Sequence, residues 1–216
     1  MEEQKELLLT DARINNCMNF MSRNVQKKHL LKILNKWGIK KTTRLNDMYE
    51  EIIRSVQIGI IDFDEFKSWL TKNQIDGNNI HFIYDVDFQN VNEELLEKLY
   101  QDVNNYSINI LDIDENELEH TVLTNIFKLN NRYVFSYISP AEINVKKLDQ
   151  GTGSHSVVQE KILYPAFIEF DIKNKNVIVV LNPTSNLSHV ENVTQGKYYS
   201  FSPIADIYLE KSKELL

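Results

Sequence analysis

The apolar residues of this chain change their spacing near Gly77, and that change limits what it can fold into. Before Gly77 they recur every three to four positions, as one face of a helix requires. After it they begin to alternate, as a half-buried strand requires. The plainest helical stripe is Leu45, Met48, Tyr49, Ile52, Ile53 and Val56, at i, i+3, i+4, i+7, i+8 and i+11 within a helix predicted from about Arg44 to Gln57. Another helix is predicted from Val25 to Trp37, with Asn24 as N-cap. Its stop is Gly38 in the left-handed C′ position, with Ile39 at C″ against Leu34, the Schellman arrangement. Gly59 is a second stop. Asp62 with Glu65 then forms a capping box, and Ile61 with Phe66 a hydrophobic staple, opening a short helix that buries Phe63, Phe66, Trp69 and Leu70. Leu7 to Met21, broken at Thr10-Asp11, also reads as helical.

Beyond the turn cluster Asp76-Gly77-Asn78-Asn79, Ile80, Phe82, Tyr84 and Val86 alternate with His81, Ile83 and Asp85 and predict a strand. A helix follows from about Asn92 to Val103, with Glu93 and Glu94 in its first turn, where the helix dipole favours them. Ser107 to Leu111 is read as a strand. Asn130-Asn131 closes a hairpin between Val122–Leu129 and Arg132–Ile138, and residues 173–176 close a second between Ala166–Ile172 and Val177–Leu181. Ser202 as cap and Pro203 as opener start a last helix, whose pattern is still running at Leu216 and leaves room for a continuation. The expected fold is therefore α+β: a small all-helical N-terminal domain (1–76), then a mixed, mainly antiparallel β-sheet domain with a few helices (77–216).

Composition narrows the class further. With 42% hydrophobic and 25% charged residues, the 216-residue chain has the makings of an ordinary core and not of a disordered polymer. Its single cysteine, Cys17, excludes an intramolecular disulfide and a cysteine-based zinc site and fits a reducing, cytoplasmic setting. The acidic opening MEEQKELLL does not read as a secretory leader, and no apolar run approaches the roughly 20 residues of a membrane span.

Charge is distributed unevenly. From Ala12 to Asn46 there is no acidic residue, while Arg13, Arg23, Lys27, Lys28, Lys32, Lys36, Lys40, Lys41 and Arg44 are basic, in a chain whose formal charge is −7. Lys28, Lys32 and Lys36 stand at i, i+4 and i+8 and form a ridge opposite Leu30, Ile33, Leu34 and Trp37. Lys40, Lys41, Arg44 and the hydroxyls of Thr42 and Thr43 follow. Such a zone suits phosphate contacts that are salt-dependent and largely sequence-independent. Lys27, Lys28, Lys32, Lys36, Lys40, Lys41 and Arg44 are therefore the candidate nucleic-acid-binding residues. The same residues also fit a solvated helix face, or a surface that docks on an acidic protein.

Other constellations carry less chemistry. Glu169, Asp171 and Lys173 have the spacing of a PD-(D/E)xK nuclease, which needs a second carboxylate for its metal, and Asp149 is the convenient one. The competing reading makes them the solvated face of an alternating strand. Residues 151–156, with two glycines, three hydroxyls and His155, read as a surface loop. His29, His81, His120, His155 and His189 show no metal-ligand spacing, and the acidic run from Asp112 to Glu119 lacks the glycine of a calcium loop. With no catalytic or cofactor motif, the expectation is a non-enzymatic nucleic-acid-binding or regulatory component. A protein–protein adaptor is the first alternative and a metal-dependent hydrolase the second. No metal or cofactor is expected, and nucleic acid or another protein is the expected partner.

Overall fold

The computed structural model describes residues 10–75, 79–85, 92–148, 153–195 and 200–214. The fold is mixed α+β, and the chain divides into two compact units. One takes residues 1–77 together with Ile110–Asp112; the other takes 78–109 and 113–216.

Four helices build the first unit: α1 (Asp11–Asn24), α2 (Lys27–Lys36), α3 (Leu45–Gln57) and α4 (Phe63–Ile75). The Thr10 hydroxyl accepts from the Arg13 amide and caps α1, which explains the break read at Thr10-Asp11. Residues 7–9 lie outside the described ones. Asn24 does not cap α2. Its side-chain amide donates to the Phe20 carbonyl inside α1, and Gln26 holds the N-cap position of α2 instead. The two glycine stops act as read. At Gly38 (φ +67°) the Ile39 amide donates to Leu34 and the Gly38 amide to Asn35; at Gly59 (φ +77°) Ile60 donates to Ser55 and Gly59 to Val56. Both are complete Schellman turns, and both need a left-handed residue that glycine adopts at little cost. The stripe on α3 is buried from Met48 to Val56, but Leu45 is exposed. Ile110–Asp112 forms a 3₁₀ turn held to α1, where Asp112 pairs with Arg13 and the Leu111 carbonyl accepts from Asn16. Ser107–Leu111 is thus not a strand.

The second unit is built on an antiparallel sheet whose described strands run β1-β5-β4-β3-β6-β7, with β2 also on β3. These are β1 (Ile80–Asp85), β2 (Val122–Leu129), β3 (Arg132–Leu148), β4 (His155–Asp171), β5 (Asn176–Leu181), β6 (Leu187–Val190) and β7 (Val193–Thr194). Val86, read into the first strand, lies outside the described residues. Both hairpins turn where expected, with Asn130 and Lys175 left-handed at φ 56°. Strand β3 runs ten residues past its reading and β4 starts eleven residues before its own, the two pairing continuously from Arg132 opposite Asp171 to Leu148 opposite His155. Proline explains why this is permitted. On β3 the β2 pairing ends at Ile138 and the β6 pairing starts at Ala141, so Pro140 falls in the gap. On β4 the β5 pairing begins at Ala166, just past Pro165. Each proline lacks its N–H where one neighbour is absent.

Helices α5 (Glu93–Gln101), α6 (Val103–Tyr106) and α7 (Ser202–Glu214) complete this unit. The Asn92 side chain caps α5 through the Leu95 amide, and Asp102 then ends it. Helix α7 starts one residue early, since the Phe201 carbonyl accepts from Ala205 and Ser202 is already helical. Leu96 of α5 and Ile204, Ala205 and Tyr208 of α7 join one core with Phe135, Tyr137, Tyr164, Ile168, Phe170 and Val179. The alternate residues Val134, Ile138, Phe167 and Val180 are buried as well, so the central strands read as continuous apolar runs.

Ile52 on α3 is completely buried. Ile52→Ala should lower unfolding free energy by about 2–5 kcal/mol in chemical denaturation, as other large-to-small core changes do. A loss below about 0.5 kcal/mol would place Ile52 outside a packed core.

Candidate nucleic-acid interface

All seven candidate residues are exposed, and they come from α2, the segment after it and the start of α3. Along α2, at about 100° per residue, Lys28, Lys32 and Lys36 span roughly 80° of the circumference. Lys27 lies about half a turn from Lys36 and is off that ridge. Lys40 and Lys41 belong to the segment between α2 and α3, and Arg44 holds the N-cap position of α3. The Thr42 hydroxyl, read as a phosphate donor, is directed to the Arg44 carbonyl.

The zone is acid-free in sequence but not in space. Folding brings Asp112 to Arg13 and Glu65 to Lys36. The Glu65 pairing organises the site. One oxygen of its carboxylate accepts from Lys36 Nζ at 2.6 Å and from Trp37 Nε1 at 3.0 Å, so the end of α2 is tied to the first turn of α4. Of the capping box, only the Asp62 half forms: its side chain accepts from the Glu65 amide at 2.9 Å, while the Glu65 carboxylate serves the tertiary tie. Behind the tie, the Trp37 ring meets Trp69 edge-on at 5.3 Å, and Trp69 stacks on Phe66 at 6.0 Å.

Between α2 and α4 this leaves a cleft of about 750 Å³. Lys32 and Lys36 from α2 and Lys72 from α4 set three cations against the single carboxylate of Glu65. Ile33 and Trp69 supply apolar surface, and His29, Ser68 and Asn73 polar surface. Of the seven candidates, only Lys32 and Lys36 line it. The sequence reading missed Lys72 because it searched only the acid-free stretch. The signal was available: Glu65, Ser68, Trp69 and Lys72 stand at i, i+3, i+4 and i+7 of one helix.

The nuclease-like triplet is built differently from its reading. Glu169 and Asp171 are only 3% exposed, not a solvated face. Arg132 lies directly across from Asp171 on β3 and forks to both, Nε to Asp171 at 2.9 Å and Nη1 to Glu169 at 2.8 Å. Asp171 also accepts from the backbone and side chain of Asn174, closing the β4–β5 turn. Burial pushes its carboxyl pKa up, but the Asn174 hydrogen bonds and the Arg132 charge outweigh this and hold it below the ordinary value. Its oxygens are thus occupied by Arg132 and Asn174, and Asp149 lies outside the described residues.

Among the described residues no three His, Cys, Asp or Glu side chains come together as a metal site. The expected loop at 151–156 is partly strand, since β4 begins at His155, while residues 151–152 lie outside the described ones. In the acidic run, Asp114 accepts from the Asn116 backbone and forms a local turn. Cys17 is buried and its thiol is pushed up to about 12 by that burial, as in an inert core thiol. None of the described helices is long and apolar enough to cross a membrane. No protein-family model, curated protein or solved structure matches the chain.

Two measurements probe this geometry. Asp171→Ala should destabilise the fold by about 1–3 kcal/mol, because it removes a buried acceptor that serves Arg132 and the Asn174 turn, both of which reach solvent and so limit the cost. An unchanged denaturation midpoint would return Asp171 to a solvated face. The Lys36 hydrogen bond, and then that from Trp37, hold the Glu65 carboxyl below its ordinary 4.5. With the folded value depressed, the tie is complete above pH 4.5 and is lost as pH falls through that lower value. Tryptophan emission should therefore change with a midpoint below pH 4.5, and Glu65→Gln should abolish that step. A midpoint at or above 4.5 contradicts the tie.

Proposed function

We propose that the chain is a non-enzymatic nucleic-acid-binding or regulatory component, working in a reducing compartment such as the cytoplasm. On this reading the first four helices form an N-terminal domain that contacts phosphates, and the α+β unit is its scaffold and partner platform. The carrying observation is the ridge of Lys28, Lys32 and Lys36, which continues into a cleft where three lysines face one carboxylate. A surface of this kind makes contacts to the backbone of a nucleic acid, which position but do not specify sequence. The inert thiol of Cys17 and the engagement of Asp171 with Arg132 and Asn174 fit a role without chemistry at those residues.

A separate observation favours the adaptor reading. The far ends of β3 and β4 form a two-stranded ribbon in which Leu148 is 57% and Val157 65% exposed. Exposed apolar side chains on a ribbon suit a protein partner more than a phosphate backbone.

The two readings part on salt. Replacing Lys28, Lys32 and Lys36 together by Gln keeps helix propensity and should leave the fold intact. If the ridge meets phosphates, affinity falls for all sequences alike, and the slope of log affinity against log salt becomes shallower by about 0.9 per lost duplex contact or about 0.7 on a single strand. An unchanged slope, or no binding by the parent protein at about 50 mM salt, leaves the adaptor reading ahead.

A further inference from the structure

Resting on that reading, we propose that the cleft between α2 and α4 seats an unpaired nucleotide, so that the protein prefers a single strand to a duplex. The site is a concavity of about 750 Å³, within the range that encloses small organic groups, and not a flat basic face. A duplex keeps its bases paired and stacked and offers mainly phosphates to a cleft of this size. A single strand can splay a base out of the stack.

The lining matches both parts of a nucleotide. Lys32, Lys36 and Lys72 stand exposed as a cationic rim for the phosphates. Ile33 and the buried Trp69 give an apolar wall for a base, and Ser68 offers a hydroxyl to a base edge. The wall is preformed: Trp69 is held between Trp37 and Phe66, and Glu65 fixes Trp37. A preformed site does not have to be ordered when the ligand binds. Glu65 shares its charge with Lys36 and Trp37, so the one carboxylate in the cleft is partly neutralised against an incoming phosphate. A run of Asp and Glu side chains would also satisfy the lysines, but it brings no ring for the apolar wall.

The site carries its own reporter, because the chain has two tryptophans, Trp37 and Trp69, and both stand here. The test uses the full chain, a thymidine oligonucleotide and a duplex of equal length, with tryptophan emission and anisotropy as readouts. The expected result is tryptophan quenching by the single strand and a preference over the duplex of about tenfold or more, the scale of one base contact. Ser68→Phe fills the cleft without touching a charge. It should weaken the single strand by about tenfold and leave duplex affinity unchanged. Lys72→Gln, an exposed change outside the α2 ridge, should make the single-strand salt slope shallower by about 0.7 without altering Tm, and it keeps the test sound if Ser68→Phe fails to fold. Equal affinity for both probes, with no effect of either variant, overturns this inference and leaves the ridge reading standing. Binding to neither probe overturns both. Displacement of the strand by polyglutamate at matching charge concentration overturns the base-seating claim and favours an acidic protein partner.

Discussion

One carboxylate oxygen, on Glu65, accepts from both Lys36 and Trp37, and the candidate interface depends on it. Trp37 is the C-cap of α2, directly before the left-handed Gly38. Fixing Trp37 fixes where α2 ends, and with it the line along which Lys28, Lys32 and Lys36 point. On α4, Glu65 sits one turn before Trp69 and two turns before Lys72, so the same contact sets the register of the opposite wall. As an exposed ion pair it adds little stability by itself. Its effect is positional, because it joins a cap, a helix start and an aromatic cluster at one point.

The α+β unit depends on a comparable cross-strand contact. Arg132 opens β3 and, through the register of the β3–β4 pair, meets both Asp171 and Glu169 on β4. Two buried carboxylates would repel one another and suffer desolvation; one guanidinium fork compensates both while its outer edge still reaches solvent. A pair that resembles a metal site in sequence is therefore a structural clamp beside the β4–β5 turn.

Local signals in this chain were legible wherever a single residue's backbone preference decides the outcome. Gly38, Gly59 and Asn130 all adopt the left-handed conformations expected of them. Asp62 caps the helix it precedes. Readings failed where a distant partner decides. Asn24 looked like a cap but bonds backwards into α1, and Ser107–Leu111 alternates like a strand although part of it is a 3₁₀ turn bound to α1. The strands read as ending at Ile138 and starting at Ala166 run on through Pro140 and Pro165, because the sequence does not show which neighbour is missing beside each proline. The same limit applied to the site. An acid-free stretch is a property of the chain, and the carboxylates that meet Arg13 and Lys36 come from outside it, as does Lys72.

These contacts leave the ridge of α2 and the cleft beside it as the place where charge and shape agree best with a phosphate-bearing partner. Amide chemical-shift mapping of the full chain during titration with a single-stranded oligonucleotide tests that claim most directly. The account predicts that the perturbed amides cluster in α2 and α4 around Lys32, Lys36, Ser68 and Lys72, with the indole signals of Trp37 and Trp69 among them. Shifts centred on the β3–β4 ribbon, or none above those caused by salt alone, would contradict it.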